Sequence, residues 1–185
     1  FMRLYGFPPI IQNDSRILIL GSFPSKASLE TGMYYSHGRN QFWPLLALCT
    51  GHSVPVSRDE KVRLLTESGI ALWDMVASCE RKGSLDQNIL EPELNDIGGL
   101  LNSCPTIKRI LLNGSLAADL LYRTVLHHKG ALPAIGSVYM WEQPEGLPIG
   151  IYRLPSTSPV PTGQFRRLED KLPLWQAALK VNRGF

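Results

Sequence analysis

The chain has 185 residues, of which 44% are hydrophobic and 19% are charged, and its formal net charge is +3. This composition excludes a disordered or fibrous chain and leaves enough apolar material for a core, so we expect a single domain spanning residues 1–185. The small basic excess is compatible with a polyanionic partner but does not by itself indicate one. The three cysteines are far apart, which favours free thiols in a reducing compartment over a disulfide framework.

Targeting signals and ligand motifs are missing from the sequence. No apolar run approaches the roughly 20 residues that span a bilayer, and no basic region precedes an apolar core as in a signal peptide. We therefore expect a cytoplasmic protein that does not bind membranes. The four histidines are not spaced as metal ligands, and the chain has neither a phosphate-binding loop nor a dinucleotide fingerprint. The sequence predicts no metal and no cofactor.

Apolar runs and helical patterns alternate along the chain. The apolar runs predict strands at residues 16–20, 70–76, 107–112 and 149–154. The helical patterns predict helices at residues 40–49, 60–68, 94–101, 116–126 and 165–181, the last bending or restarting near Pro173. Residues 77–93 read as a polar loop, and residues 138–141 as an edge strand or irregular loop.

This alternation predicts an α/β fold. We expect a three-layer α/β/α sandwich with a central, mostly parallel four-stranded sheet and right-handed crossovers. Ligands in such sheets bind beyond the carboxyl ends of the strands. Here those ends carry small or polar segments, which begin at Gly21, Val76, Asn113 and Leu154.

Residues 21–43, GSFPSKASLETGMYYSHGRNQFW, follow the first predicted strand. They resemble the first motif of the uracil-DNA glycosylase superfamily, especially its mismatch-specific branch. Together with GFPPI, SCERKGSLD and LPSTSP, they look like the hypoxanthine-DNA glycosylase subgroup, over residues 6 to about 175. The resemblance implies a monofunctional enzyme that flips a deaminated base, most simply hypoxanthine, out of DNA and hydrolyses its N-glycosidic bond, leaving an abasic site. It implies a monomer without an obligate protein partner.

The resemblance also implies roles for individual residues. Phe23 stands where the mismatch-specific branch has its water-activating Asn, so Asn40 becomes the candidate catalytic residue that orients water. Tyr35 falls at the position of the base-stacking aromatic ring. From the residues alone, Asn40 is an ordinary helix N-cap and Tyr35 an ordinary half-buried aromatic.

Further residues are expected to line the site. The candidate substrate-binding residues are Gly21, Ser22, Phe23, Pro24, Tyr35, Asp74 and Asn113, of which the last two could read the base edge or merely stabilise turns. The candidate DNA-binding residues are Ser156, Thr157, Ser158, Pro159 and Arg39, although a Ser-Thr-Pro segment after a strand is usually only a turn. Additional basic side chains that could neutralise phosphates are Arg81, Lys82, Arg166 and Arg167. Asp86 either contacts substrate or braces its loop, and bracing is the simpler interpretation.

Two alternative functions remain open. A broader glycosylase would act on uracil or xanthine, but Leu154 stands where uracil-specific members carry a catalytic His. A non-catalytic protein that binds damaged or single-stranded DNA would explain the loss of both usual catalytic residues, at Phe23 and Leu154. Asn40 distinguishes these classes, because a protein that only binds DNA does not need an amide that orients water.

Overall fold

The computed structural model describes residues 2–159 and 163–180. Its strands are β1 (Arg3–Tyr5), β2 (Ile17–Gly21), β3 (Ile70–Asp74), β4 (Val76–Glu80), β5 (Leu90–Leu94), β6 (Arg109–Asn113), β7 (Val138–Trp141) and β8 (Ile149–Leu154). Its helices are α1 (Lys26–Thr31), α2 (Phe42–Thr50), α3 (Arg58–Ser68), α4 (Ile97–Ser103), α5 (Ser115–Thr124) and α6 (Leu168–Leu179).

A five-stranded sheet in the order β3-β2-β6-β8-β7 forms the middle layer. The strands β3, β2, β6 and β8 are mutually parallel, and they correspond to the predicted strands. The edge strand β7 is antiparallel to β8, so the sheet has one strand more than expected. The mostly parallel α/β fold is confirmed. Every residue of β2 is buried, which explains its continuous apolar sequence.

Helices cover both faces of this sheet. Ile17 and Ile19 of β2 pack in a cluster with residues of α2, α3 and α6. Leu18 and Leu20 point to the other face and pack in a second cluster with residues of α4 and α5. Because successive side chains of a strand point to opposite faces, one apolar strand serves both cores. The three-layer α/β/α arrangement is confirmed.

A second, three-stranded sheet in the order β1-β4-β5 takes two of its strands, β4 and β5, from the part of the chain expected to be loop. The prediction of a loop over residues 77–93 is therefore wrong. All residues of β5 are exposed, so this edge strand carries Glu91, Pro92 and Glu93 without any apolar alternation. Its pairing with β4 also contains register shifts, which interrupt the period of two.

Three helices differ from expectation. The short helix α1 was not predicted, and Ser25 caps it by accepting a hydrogen bond from the Ser28 amide. Helix α2 begins at Phe42, two residues later than predicted. Helix α6 runs through Pro173 without interruption, since the carbonyl group left unbonded belongs to the exposed Glu169. The predicted end of this helix at Val181 lies outside the described residues.

Candidate active site

The carboxyl ends of the parallel strands meet at one edge of the large sheet. Gly21 is in register with Asp74, and Asn113 is in register with Leu154. The chain places β3 on one side of β2 and β6 on the other, so the gap between β2 and β6 is a topological switch point. A cleft of about 1070 Å³ opens there, and the residues lining it include Gly21, Ser22, Phe23, Pro24, Tyr35, Asn40, Asp86, Asn113, Leu154, Ser156, Thr157 and Ser158. Asp74, Arg39 and Pro159 do not line the cleft.

The backbone of the loop after β2 is oriented by the strand beside it. The carbonyl oxygens of Gly21 and Ser22 accept hydrogen bonds from the amides of Met75 and Val76, at 2.9 and 3.0 Å. In a trans peptide the N–H points opposite to the C=O of the same unit. The amides of Ser22 and Phe23 therefore face away from β3 and are available as hydrogen-bond donors in the loop that lines the cleft.

Gly21 occupies a position that has no room for a side chain. A Cβ atom there would lie 2.5 Å from Asp74 Oδ1 and 2.8 Å from the Tyr35 hydroxyl oxygen. Both neighbours belong to buried groups that cannot swing away easily. The close approach of these polar atoms to the backbone thus explains why the strand ends in glycine.

Tyr35 forms part of the cleft floor. Its ring stacks on Phe42 with a centroid separation of 4.0 Å and an interplanar angle of 22°, so that one ring face is covered by protein. Its backbone has φ 54°, in the left-handed region that a bulky residue rarely occupies. A strained backbone of this kind is typical of residues held for a specific contact. Burial, and secondarily Asp74, raises the pKa of the Tyr35 phenol, so the ring is neutral.

Asn40 lines the same cleft and lies just before α2. Its Oδ1 accepts a hydrogen bond from the Phe42 amide at 2.9 Å, which forms a turn that leads into the helix. Within the described chain, its Nδ2 group has no protein acceptor. Oδ1 also keeps a second lone pair. The side chain is thus fixed by the helix while its donor remains available to substrate or water.

The two residues that depart from the usual motifs are both buried. Phe23 is 7% exposed and packs against Val76 and Cys79, with the Arg81 guanidinium 5.0 Å from its ring centroid. Leu154 is 2% exposed and belongs to the core beneath α2 and α6. Neither side chain offers a hydrogen bond to a leaving base.

Asp74 lies beneath Gly21 and is 4% exposed, with no hydrogen-bond partner for its Oδ2. Burial, and secondarily the charge of Asp86, raise the pKa of this carboxyl to about 7 against the opposing effect of Arg81. Burial also raises the pKa of Asp86, although the Ser22 hydroxyl and Arg81 counteract it. The charge of Asp86, which lines the cleft, therefore affects the proton affinity of the buried Asp74.

Asn113 holds the LPSTSP segment, residues 154–159, against the sheet. Its Nδ2 donates to Thr157 Oγ1 and its Oδ1 accepts from the Thr157 amide, each at 3.0 Å. The Thr157 carbonyl accepts from the Gln41 amide at 3.0 Å. Thr157 is only 1% exposed, so it anchors the loop and its hydroxyl is not presented to a phosphate. Ser156, whose hydroxyl accepts from the Ser158 amide, is partly exposed.

The remaining basic candidates lie in different surroundings. Arg39 is exposed beside Asn40, outside the cleft lining. Arg81 is 7% exposed and donates to the carbonyls of Pro24 and Gly83, at 2.6 and 2.9 Å, so it is an internal tether and not a surface phosphate contact. Lys82, Arg166 and Arg167 are exposed. The tether by Arg81 was missed because a charged residue in a polar segment is usually on the surface.

Two further features concern ligands and membranes. Among the residues that the structure describes, no three His, Cys, Asp or Glu side chains gather as metal ligands would. None of the helices in the described ranges is both long and apolar enough to cross a bilayer.

The fold and its cleft define an α/β protein with a ligand site at a switch point, and sequence comparison supplies the family. Residues 8–179 match the model of the uracil DNA glycosylase superfamily, and the chain belongs to that family. It is similar to a hypoxanthine DNA glycosylase of Methanosarcina barkeri, with 33% identity over 70% of this chain and 81% of the relative. A hypoxanthine DNA glycosylase of Methanosarcina acetivorans is 34% identical over 68% of this chain and 78% of its own length.

A solved structure agrees with this assignment. The solution NMR structure of a Methanosarcina acetivorans protein, named with a provisional assignment as a uracil DNA glycosylase, aligns with a TM-score of 0.73 and 28% identity. The alignment covers 96% of this chain and 97% of the other. The resemblance identified from the motifs is thereby confirmed at the level of the family.

Proposed function

We propose that this protein is a monofunctional DNA glycosylase that hydrolyses the N-glycosidic bond of a deaminated base, with hypoxanthine as the preferred base. The observation that carries this function is the cleft in which Asn40, Tyr35 and the amides of the loop after Gly21 lie together. The family and the names of the relatives support the same reaction.

The arrangement accounts for base binding. A nucleobase inside duplex DNA is inaccessible, so it must be flipped into a pocket and stacked on an aromatic ring. Tyr35 offers a ring that is already immobilised on Phe42. Ser156 and Ser158 line the cleft, and Pro159 and Arg39 are chain neighbours of cleft-lining residues. Their hydroxyls, backbone amides and guanidinium are groups that can contact the DNA backbone.

Bond cleavage requires stabilisation of two charges. Negative charge develops on the leaving base, and the amides of Ser22 and Phe23 are donors already oriented by the hydrogen bonds of their peptide units. Positive charge develops on the sugar, which a water molecule then captures. Asn40 holds that water, with Nδ2 donating to its oxygen or Oδ1 accepting one of its protons. Lys26, the lysine of the first motif, is exposed outside the cleft, and none of the described residues that line the cleft is a lysine, so the reaction is hydrolysis without a Schiff base.

Excision from defined duplexes tests this function. Duplex oligonucleotides containing deoxyinosine, deoxyuridine or deoxyxanthosine are incubated with the protein, and abasic sites are detected by alkaline cleavage. We expect cleavage at deoxyinosine to be fastest. Cleavage at deoxyuridine alone would replace hypoxanthine by uracil as the substrate. Binding of each duplex without any cleavage would contradict the enzymatic function and favour a DNA-binding protein.

A further inference from the structure

Asp86 is a carboxylate that projects into the cleft. It begins the short 3-10 turn Asp86–Asn88, and its Oδ1 accepts a hydrogen bond from the Ser22 hydroxyl at 2.7 Å. Ser22 belongs to the loop after β2, which is the catalytic loop of the proposed function because its amides would stabilise the leaving base. The carboxyl group is thus fixed beside the catalytic loop, although the two residues are 64 positions apart in the chain.

The loop that carries Asp86 is fastened to the catalytic loop by two further contacts. The Lys26 amide donates to the Ser84 hydroxyl at 2.8 Å. The Arg81 guanidinium donates to the Pro24 carbonyl at 2.6 Å and to the Gly83 carbonyl at 2.9 Å. These contacts already brace the loop on both sides, so bracing does not require a carboxylate at Asp86.

The charge of Asp86 is not neutralised by an ion pair with any described residue, and its Oδ2 has no hydrogen-bond donor among them. Arg81 is close enough to act electrostatically, but its hydrogen bonds go to carbonyl groups. An unpaired carboxylate in a DNA-binding cleft repels phosphates, which weakens binding. Its oxygen is instead suited to an N–H group of an uncharged ligand.

Deamination creates an N–H group of this kind. In adenine the ring N1 is a lone-pair acceptor beside an amino group, whereas in hypoxanthine N1 carries a hydrogen beside a carbonyl. The same change converts cytosine to uracil at the corresponding ring nitrogen. A carboxylate, which only accepts hydrogen bonds, binds the N–H of the deaminated form and repels the lone pair of the undamaged form.

We propose that Asp86 is a specificity-determining residue, whose free carboxylate oxygen accepts the ring N–H that distinguishes a deaminated base from its parent. This inference rests on the proposed function and adds to it the group that reads the base. Asp74 lies beneath Gly21 and outside the cleft lining, so it does not take this role.

A comparison of two substrates in two variants tests the inference. The variants are Asp86→Asn and Asp86→Ala, and the substrates are duplexes containing deoxyinosine or purine 2′-deoxyriboside, which lacks both the C6 oxygen and the N1 hydrogen. Single-turnover excision is measured for each pair, and urea unfolding confirms that each variant is folded. We expect both variants to lose about 10- to 100-fold in rate on deoxyinosine, the range of a hydrogen bond to a charged group. On the purine substrate we expect little change, so the preference for deoxyinosine falls by the same factor.

Two control variants separate the possible causes. Asp14→Asn removes the same charge from an exposed position before β2, at the opposite end of the strand from the cleft, and should leave both rates unchanged. Ser22→Ala removes the hydrogen bond to Asp86 but retains the carboxylate, so a preference for deoxyinosine should persist even if both rates fall.

Three outcomes would overturn the inference. Equal losses on the two substrates would mean that Asp86 only stabilises the site, and unchanged rates would mean that it has no role. If the wild-type protein cleaves neither duplex, the proposed function itself fails and the inference falls with it. If the wild type cleaves deoxyinosine but the variants show no selective loss, only the role of Asp86 is refuted, and the proposed function stands.

Discussion

The buried Asp74 makes a quantitative prediction about stability. Its pKa is raised from 3.8 to about 7 in the folded protein, because burial disfavours the charged form. A difference of about 3 pKa units corresponds to about 4 kcal/mol of folding free energy. Folded chains hold this proton more tightly than unfolded chains, so the contribution of Asp74 to stability is most favourable below pH 3.8, falls as the pH rises from 3.8 to about 7, and is constant above that.

The substitution Asp74→Asn removes this ionisation and keeps a side chain of similar shape. We expect the variant to be more stable than the wild type at neutral and alkaline pH. The stability difference should grow by roughly 2 to 3 kcal/mol between pH 5 and pH 8, because about half of the destabilisation develops in that interval.

Urea unfolding at a series of pH values measures the free energy of unfolding of both proteins. Asp14→Asn serves as the control, because it removes one carboxylate from an exposed position. If the difference between Asp74→Asn and wild type is independent of pH, or if the variant is less stable at pH 8, the raised pKa of Asp74 is wrong.

Two other substitutions follow from the packing of the site. Gly21→Ala forces a Cβ to within 3 Å of Asp74 and Tyr35. We therefore expect the free energy of unfolding, measured in urea, to fall by about 1–3 kcal/mol and excision to be impaired. Unchanged stability would contradict the tight packing. Arg81→Met removes the hydrogen-bond donors to two loop carbonyls. We expect the loop at residues 81–86 to become more sensitive to limited proteolysis and the free energy of unfolding to fall by about 2 kcal/mol. An unaltered cleavage pattern would show that Arg81 does not hold the loop.

The large sheet could be predicted because its strands are buried on both faces. Such strands are continuous apolar runs, and their order with the helices implies the layers and the position of the site. The small sheet could not be predicted. Leu90–Leu94 is exposed throughout and contains a proline, so neither apolar content nor alternation identifies it as a strand.

The candidate site was only partly accessible from the sequence. Gly21 and Asn40 were identified because they lie in a motif that follows a predicted strand. The structural roles of Arg81 and Thr157 depend on contacts between distant segments, such as the bond from Arg81 to Pro24, 57 positions away. No local pattern shows that an arginine is buried, and burial of a charged group is uncommon.

The most direct test of the account is single-turnover excision of deoxyinosine by variants of Asn40. Asn40→Ala removes both the amide and the hydrogen bond to the Phe42 amide, whereas Asn40→Ser keeps a hydroxyl acceptor for that bond. The control Asn102→Ala removes an exposed amide from α4. We predict that both Asn40 variants lose at least ~100-fold in rate, although Asn40→Ser remains close to wild-type stability. If Asn40→Ser cleaves deoxyinosine within a few-fold of the wild-type rate, Asn40 serves only the helix, and its assignment as the catalytic residue is contradicted.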